Sequence, residues 1–251
     1  GDDARSEVQM DRYGNIFMAG CTNSTDFPVT STALSSSLSG LQDGVVIKLN
    51  PTLTTLQFST YIGGTGSDAG YVLAFDTAHT SVYVGGGTNS RDFQTTTGTL
   101  HPGYQGGFAD GFVMKFRNSP PYNLERSSYI GQSDYDQVYG IQVSSNNELY
   151  VMGQSLGGTF PVTSGVHSNP GSSQFVAKMD SNITNNLIST VFGSGTSSRT
   201  NISPVAFLVD TCENVYISGW GGNLSIPGIA SGECNGMEVT PDAEQPTTDG
   251  R

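Results

Sequence analysis

Two aspartates could carry chemistry because they recur at one position of a repeated pattern. Asp68 and Asp136 each stand five residues beyond a glycine, Gly63 or Gly131, and the third copy has Ser198 at that offset. Carboxylates bind calcium, but the ion takes about six to eight oxygen ligands and each copy supplies one carboxylate. A catalytic carboxylate pair of a glycosidase needs two distinct environments, whereas these aspartates repeat. We therefore interpret Asp68 and Asp136 as turn caps and keep calcium binding and glycan cleavage as alternatives.

The other side chains that could react or bind are few. Cys21, Cys212 and Cys234 are too few for a disulfide framework and form no Cys-x-x-Cys zinc motif. A bridge between Cys212 and Cys234 would fasten a long loop to a neighbouring hairpin and leave Cys21 as a buried thiol. Trp220, the only tryptophan, could stack on a sugar or pack against the loop at 228–237. We predict no catalytic residues, no metal and no cofactor.

Composition favours short strands and argues against several partners. Charged residues make up only 13% of the 251 residues, against 33 glycines. This balance favours strands joined by tight turns over helices. The net charge of -12 opposes binding to a nucleic-acid backbone or to an anionic lipid surface. No apolar run reaches the roughly 18 residues of a membrane-spanning helix, so we expect neither nucleic-acid binding nor membrane insertion.

A short apolar strand that ends in glycine returns through the chain and organises it. Its four terminal glycines follow one another at steps of 66, 67 and 66 residues. An alternating strand precedes it in each copy, and β-rich runs follow it, so we name the four strands A, B, C and D in chain order. Strand A is predicted at 7–11, 73–76, 141–144 and 207–210, strand B at 15–20, 81–86, 149–153 and 215–219, strand C at 43–49, 110–116 and 174–179, and strand D at 59–63, 128–131 and 189–193.

All three lysines of the chain, Lys48, Lys115 and Lys178, occupy one equivalent position near the end of strand C. They could form a row of cationic contacts to a ligand. We favour the alternative that each amine reaches solvent along its own apolar stem.

Four strands per repeat predict an all-β fold, a β-propeller segment of four-stranded antiparallel blades with a repeat of about 66 residues. A parallel β-helix is the competing architecture, but its coils are shorter. About fourteen strands make three and a half blades, and because propellers close with about four to eight blades, we expect an incomplete ring. We predict the end of a preceding repeat at 1–14, repeats at 15–80, 81–148 and 149–214, and a truncated repeat at 215–251. Because Asp249-Gly250 matches the Asp-Gly pair that precedes strand C in the earlier copies, we expect a further strand C to follow it.

The repeat residues resemble a known family. The first copy reads Asp11-x-x-Gly14-Asn15, Asp26-Phe27-Pro28, Asp43-Gly44, Lys48 and Thr60-Tyr61-Ile62-Gly63-Gly64, which is similar to the SBBP-type bacterial β-propeller repeat. The resemblance covers nearly the whole chain and weakens toward its end, where Ser173 replaces the aspartate before strand C. It implies a large Bacteroidota surface protein, secreted by the type IX system and associated with gliding motility. It supplies no catalytic residues, and Asp76-Thr77-Ala78 resembles the O-glycosylation site of Bacteroidota, which makes Thr77 a candidate.

These observations favour a non-enzymatic extracellular module, a platform or spacer on the bacterial cell surface with a role in adhesion or gliding. Its expected partners are other domains or chains of a larger surface assembly, and glycans. The alternative is a glycan-active propeller enzyme or a lectin-like carbohydrate binder.

Overall fold

The chain folds into consecutive antiparallel sheets, as predicted. The computed structural model describes residues 6–196, 198, 200–221, 236–245 and 247, and every regular element within them is a strand. The described part of the chain contains no helix that could cross a membrane. The strands are β1 Glu7–Met10, β2 Ile16–Thr22, β3 Asp43–Leu49, β4 Leu56–Ile62, β5 Asp68–Phe75, β6 Ser81–Thr88, β7 Asp110–Arg117, β8 Leu124–Ile130, β9 Asp136–Val143, β10 Leu149–Ser155, β11 Gln174–Met179, β12 Asn186–Phe192, β13 Ser203–Val209 and β14 Val215–Trp220.

Each sheet is one blade of a propeller segment. β1–β4, β5–β8 and β9–β12 form three four-stranded sheets with the strands in chain order, and β13 pairs with β14 in a fourth sheet. Every sheet begins at strand A, one strand ahead of the repeat boundaries drawn at strand B. The described strands thus form three complete blades and half of another, which confirms the predicted incomplete ring. Asp249-Gly250 lies outside the described residues.

The turn between the first two strands has the same conformation in every blade. Its last residue has a positive φ, 82° at Gly14, 53° at His79, 61° at Asn147 and 66° at Glu213. In the first blade the amide of Gly14 donates to the carbonyl of Asp11 at 2.9 Å. This tight turn holds strands A and B as the antiparallel neighbours that the sequence predicts, with pairs such as Val8 and Met18 in register.

The core lies in the seams between successive blades. Around the seam between the first two blades, Phe58 stacks on Tyr122 with ring centroids 4.4 Å apart, and Phe17 meets Phe75 edge to face at 5.1 Å. A second buried cluster, which includes Phe175 and Val151, lies between the second and third blades. Because each sheet buries a face against the next one, the blades stabilise one another.

A bulge in strand A explains the repeated glycine of strand B, which continues one or two residues beyond the end predicted at that glycine. The register of the A–B pair shifts between Gly70 and Val72 in the second blade and between Met152 and Gly153 in the third. A Cβ atom on Gly86 would lie 1.8 Å from the carbonyl oxygen of Ala69, and one on Gly153 would lie 2.1 Å from that of Gln137. The extra residue of the bulge brings the two backbones together, so no side chain fits there.

We expect Gly86→Ala and Gly153→Ala each to lower the free energy of unfolding by about 1–3 kcal/mol, because the added methyl group meets a backbone carbonyl. Gly103→Ala is the control, since a Cβ at Gly103 has no atom within 4 Å. Urea unfolding of the three variants measures the difference. Equal midpoints for all three would contradict the steric explanation.

Candidate functional site

At one end of each seam, a lysine of one blade donates hydrogen bonds to a turn of the next blade. Lys48 of β3 is only 6% exposed, and the prediction that these amines reach solvent was therefore wrong. The turns of the following blade offer acceptors that satisfy the buried amine. The Nζ atom of Lys48 donates to the carbonyl oxygen of Asn118 at 2.9 Å, that of Lys115 to the carbonyl oxygen of Ser181 at 3.2 Å, and that of Lys178 to Oε2 of Glu213 at 2.7 Å.

The first of these ties is the most deeply buried. Lys48 Nζ also donates to Oδ1 of Asn118 at 2.8 Å and lies 4.0 Å from Oδ2 of Asp11. Burial lowers the pKa of Lys48, and the Asp11 charge opposes that shift. Although burial acts in the other direction, hydrogen bonds from Asn15, Asn118 and the Tyr13 amide lower the pKa of Asp11. The Lys48 ammonium group therefore has its hydrogen-bond partners within the protein, so its charge is not available to bind a ligand.

The opposite end of the first two seams carries carboxylates. Asp68 is 1% exposed, and its Oδ2 atom accepts from the Gly64 amide at 2.9 Å and from Ser90 Oγ at 2.7 Å. Its Oδ1 atom accepts a short hydrogen bond from Thr88 Oγ1. The Oδ2 atom of Asp136 caps its own loop in the same way, through the Gln132 amide at 2.9 Å. The turn-cap interpretation of both aspartates is confirmed.

A second carboxylate joins each cap from the preceding blade. A Cβ atom on Gly63 would lie 2.7 Å from Oδ2 of Asp68 and 2.8 Å from Oδ1 of Asp43, so the two acids face each other across this glycine. Burial raises the pKa of Asp68, and the Asp43 charge raises it further. In the second seam, a Cβ atom on Gly131 would likewise meet Oδ2 of Asp136, at 2.5 Å, and the Asp136 charge raises the pKa of Asp110. A sequence signal for this second acid was present, since an Asp-Gly pair opens strand C in both copies.

The second seam holds its carboxylates with fewer donors. Gly157 replaces the serine found at position 90, and Oδ1 of Asp110 has no hydrogen-bond partner within the described residues. Burial raises the pKa of Asp110 to about 7, and the Asp136 charge adds to the shift. Burial likewise raises the pKa of Asp136 to about 6. These acids bind protons more tightly than exposed aspartates do.

The third seam has lost both acids together. Ser173 stands where the first two seams have Asp43 and Asp110, and Asn201 occupies the position of the capping aspartate. The Oδ1 atom of Asn201 accepts from the Ser194 amide at 2.8 Å. Ser198, which the sequence offset indicated, is not the equivalent residue, because the loop is longer in this copy. The third seam therefore has no carboxylate pair at these two positions.

These acids do not assemble a metal centre in the described part of the chain. Asp68 and Asp136 lie in different seams, and no group of three or more His, Cys, Asp or Glu residues among those described could hold a metal ion. Calcium binding at either aspartate stays a prediction.

A cavity lies where the first strands of the four sheets converge. Its volume is about 510 Å³, and we call it the central cavity. The residues that line it come from the start of β1, from β5, β9 and β13, and from two B strands: Ser6, Glu7, Tyr71, Val72, Tyr139, Gly140, Ile141, Gln142, Met152, Ser203, Pro204, Val205, Ala206, Phe207 and Trp220. Sequence reasoning picked out only Trp220 from this set.

Two tyrosines reach the central cavity because they are the bulge residues of their strands. Tyr71 and Tyr139 are the extra residues at the register shifts of β5 and β9, and Val205 is the extra residue of β13. The two tyrosine rings lie 6.0 Å apart at 31°. Gln137 links them, since its Nε2 atom donates to the Tyr71 hydroxyl at 3.2 Å and its Oε1 atom accepts from the Tyr139 hydroxyl. Their recurrence at one repeat position was a usable signal.

The remaining predicted residues have the following positions. Trp220 is partly buried at the end of β14. Cys212 is exposed and Cys21 partly buried, and neither is in a disulfide among the described residues. Cys234 and most of the loop at 228–237 lie outside the described residues, so the bridge and the loop contact of Trp220 stay predictions. Thr77 is exposed in the β5–β6 turn, where its amide donates to Oδ1 of Asn147 at 3.2 Å, and its glycosylation also stays a prediction.

Comparison with known proteins found distant similarity to solved structures and none to family models or curated proteins. No family model and no curated protein matches the chain. Among solved structures, it is similar to hydrazine synthase of Kuenenia stuttgartiensis, at 10% sequence identity and a TM-score of 0.47. The similarity covers 84% of this chain and 48% of that one, so this chain spans about half of its length.

We expect Lys48→Ala to lower the free energy of unfolding by about 1–3 kcal/mol, because it leaves buried acceptors of Asn118 without a donor. Arg117→Ala is the control, since that side chain is 51% exposed and its ion pair with Glu125 is a surface contact worth less than about 1 kcal/mol. Urea unfolding compares the two variants. An equal loss in both would contradict a special role for the buried tie.

The carboxylates of the second seam predict a pH dependence of stability. Since the folded pKa values of Asp110 and Asp136, about 7 and about 6, lie above the unfolded value of about 3.9, the protonated acids stabilise the fold fully below pH of about 4. This contribution is lost as pH rises through about 7.

Stability should therefore fall between pH 5 and pH 8 in the wild type and fall less in an Asp110→Asn, Asp136→Asn double variant, in which neutral amides replace the acids. Urea unfolding at each pH measures this. The control is Asp92→Asn, because the Thr65 amide lowers the pKa of exposed Asp92, so this substitution changes the slope of stability against pH only at more acidic pH. An unchanged slope in the double variant would refute the assignment.

Proposed function

We propose that this chain is a non-enzymatic extracellular module, a propeller platform or spacer within a larger bacterial surface or type IX-secreted protein. The observation that carries the proposal is the use of the recurring carboxylates. Asp68 and Asp136 are 1% and 0% exposed, lie in two different seams and do not line the central cavity. Acids that hold blades together in this way are poorly placed to act on a substrate.

The exposed faces at the two ends of the array support contact with other domains or chains. On the first blade Val8 and Met10 are 58% and 63% exposed, and on the fourth blade Leu208 and Tyr216 are each 54% exposed. Equivalent faces in the interior are buried against the next blade. Apolar surface of this kind is typical of interaction sites. The SBBP-like repeat residues support the same assignment to a large surface protein.

A hydrolysis assay tests the non-enzymatic part of the proposal. We expect the purified chain to release no more sugar from bacterial and plant glycans than the Asp68→Asn, Asp136→Asn double variant does. Hydrolysis by the wild type that this double variant abolishes, and that the exposed-site variant Asp92→Asn retains, would overturn the proposal in favour of a glycan-active enzyme.

Protease treatment of intact cells of the source organism tests the location. A surface module should be cleaved by external protease before a cytoplasmic marker is, as an antibody against this chain would show. Cleavage only after lysis would contradict an extracellular role.

A further inference from the structure

The central cavity has the size and position of a ligand site. Its volume of about 510 Å³ lies within the roughly 300–1,000 Å³ of small-molecule cavities. All four blades contribute their first strand to its wall, so the site belongs to the array and to no single repeat. The three bulges direct Tyr71, Tyr139 and Val205 into the same wall, and bulges are frequent beside functional sites.

The aromatic groups of the cavity are suited to a ring that is apolar on its faces and polar at its edge. Tyr71 and Tyr139 lie side by side, each with a ring surface and a hydroxyl held by Gln137. Trp220 adds an indole from β14, and no hydrogen bond of its N–H group is found within the described residues. Tyrosine and tryptophan combine a flat apolar body with a polar end.

The charged residues that line the cavity favour a neutral ligand over an anionic one. No Lys, Arg or His is among the described residues that line it, whereas the carboxylate of Glu7 is. Glu7 is fixed there, because its Oε2 atom accepts from the Leu73 amide at 2.8 Å and its Oε1 atom accepts from Gln9 at 2.6 Å. With a net charge of -12 on the chain, phosphorylated, sulfated or uronic-acid ligands meet repulsion that no described residue of the lining compensates with a positive charge.

We propose that the central cavity binds a neutral oligosaccharide, with its sugar rings against Tyr71, Tyr139 and Trp220 and its hydroxyls among Glu7, Gln142 and the tyrosine hydroxyls. The proposal deepens the platform function and rests on it only for the extracellular supply of the glycan. It requires no cleavage, so the hydrolysis assay and this binding test fail independently.

The single tryptophan provides a direct measurement, since Trp220 reports on the cavity without interference from a second indole. Cellohexaose, xylohexaose and mannohexaose are titrated into the whole chain, and hexagalacturonate serves as the anionic comparison. We expect saturable change of tryptophan emission with at least one neutral hexasaccharide, a matching calorimetric heat, and none with the anionic chain.

Variants locate the binding. Tyr71→Ala combined with Tyr139→Ala should weaken binding about tenfold or more, and the corresponding phenylalanine variants, which keep the rings, should weaken it less. Tyr13→Ala is the matched control, because Tyr13 is 62% exposed on the first A–B turn and does not line the cavity. Thermal unfolding confirms that each variant is folded.

Three outcomes would overturn the proposal. These are the absence of binding to every neutral hexasaccharide at millimolar concentration, binding that the tyrosine substitutions leave unchanged, and preferential binding of the anionic chain. None of these results bears on whether the chain is an extracellular platform.

Discussion

The structure depends on burying one sheet face against the next while every polar group at the rim of that contact keeps a partner. Apolar packing at the centre of a seam requires no particular orientation of its partners. The two ends of the seam contain backbone turns and charged side chains, which are costly to bury without hydrogen-bond partners. At one end of the seam, a lysine donates hydrogen bonds to the turns of the next blade. At the other end of the first two seams, a capping aspartate accepts hydrogen bonds beside a second aspartate from the preceding blade. Because these groups reach across the seam, they fix the position of each blade relative to the next one.

The sequence predicted the strands, their order and the blade architecture because these follow from local periodicity and from a regular repeat. It could not show the direction of Lys48, since its acceptor, Asn118, lies in a turn of the next blade, 70 residues away along the chain. The pairing of Asp43 with Asp68 was hidden for the same reason. Asn201 was missed because a longer loop moves the cap away from the offset seen in the other copies.

The bulge in strand A connects the architecture with the central cavity. One extra residue in the strand brings its backbone against strand B, and this contact excludes a side chain at the repeated glycine of strand B. The same extra residue turns Tyr71 and Tyr139 toward the cavity. In the second, third and fourth blades, the repeat glycine therefore marks indirectly where the blade presents a side chain to the centre.

The loss of both acids from the third seam has a consequence for folding cooperativity. In a linear array, stability is approximately the sum of repeat terms and neighbour terms, so unequal neighbour terms decide where the array divides first. Only the first two seams carry titratable pairs, and the second seam satisfies its pair least. Alkaline conditions therefore weaken the contact between the second and third blades most strongly, and the segment should then unfold as two cooperative units. At acidic pH the same chain should melt as one.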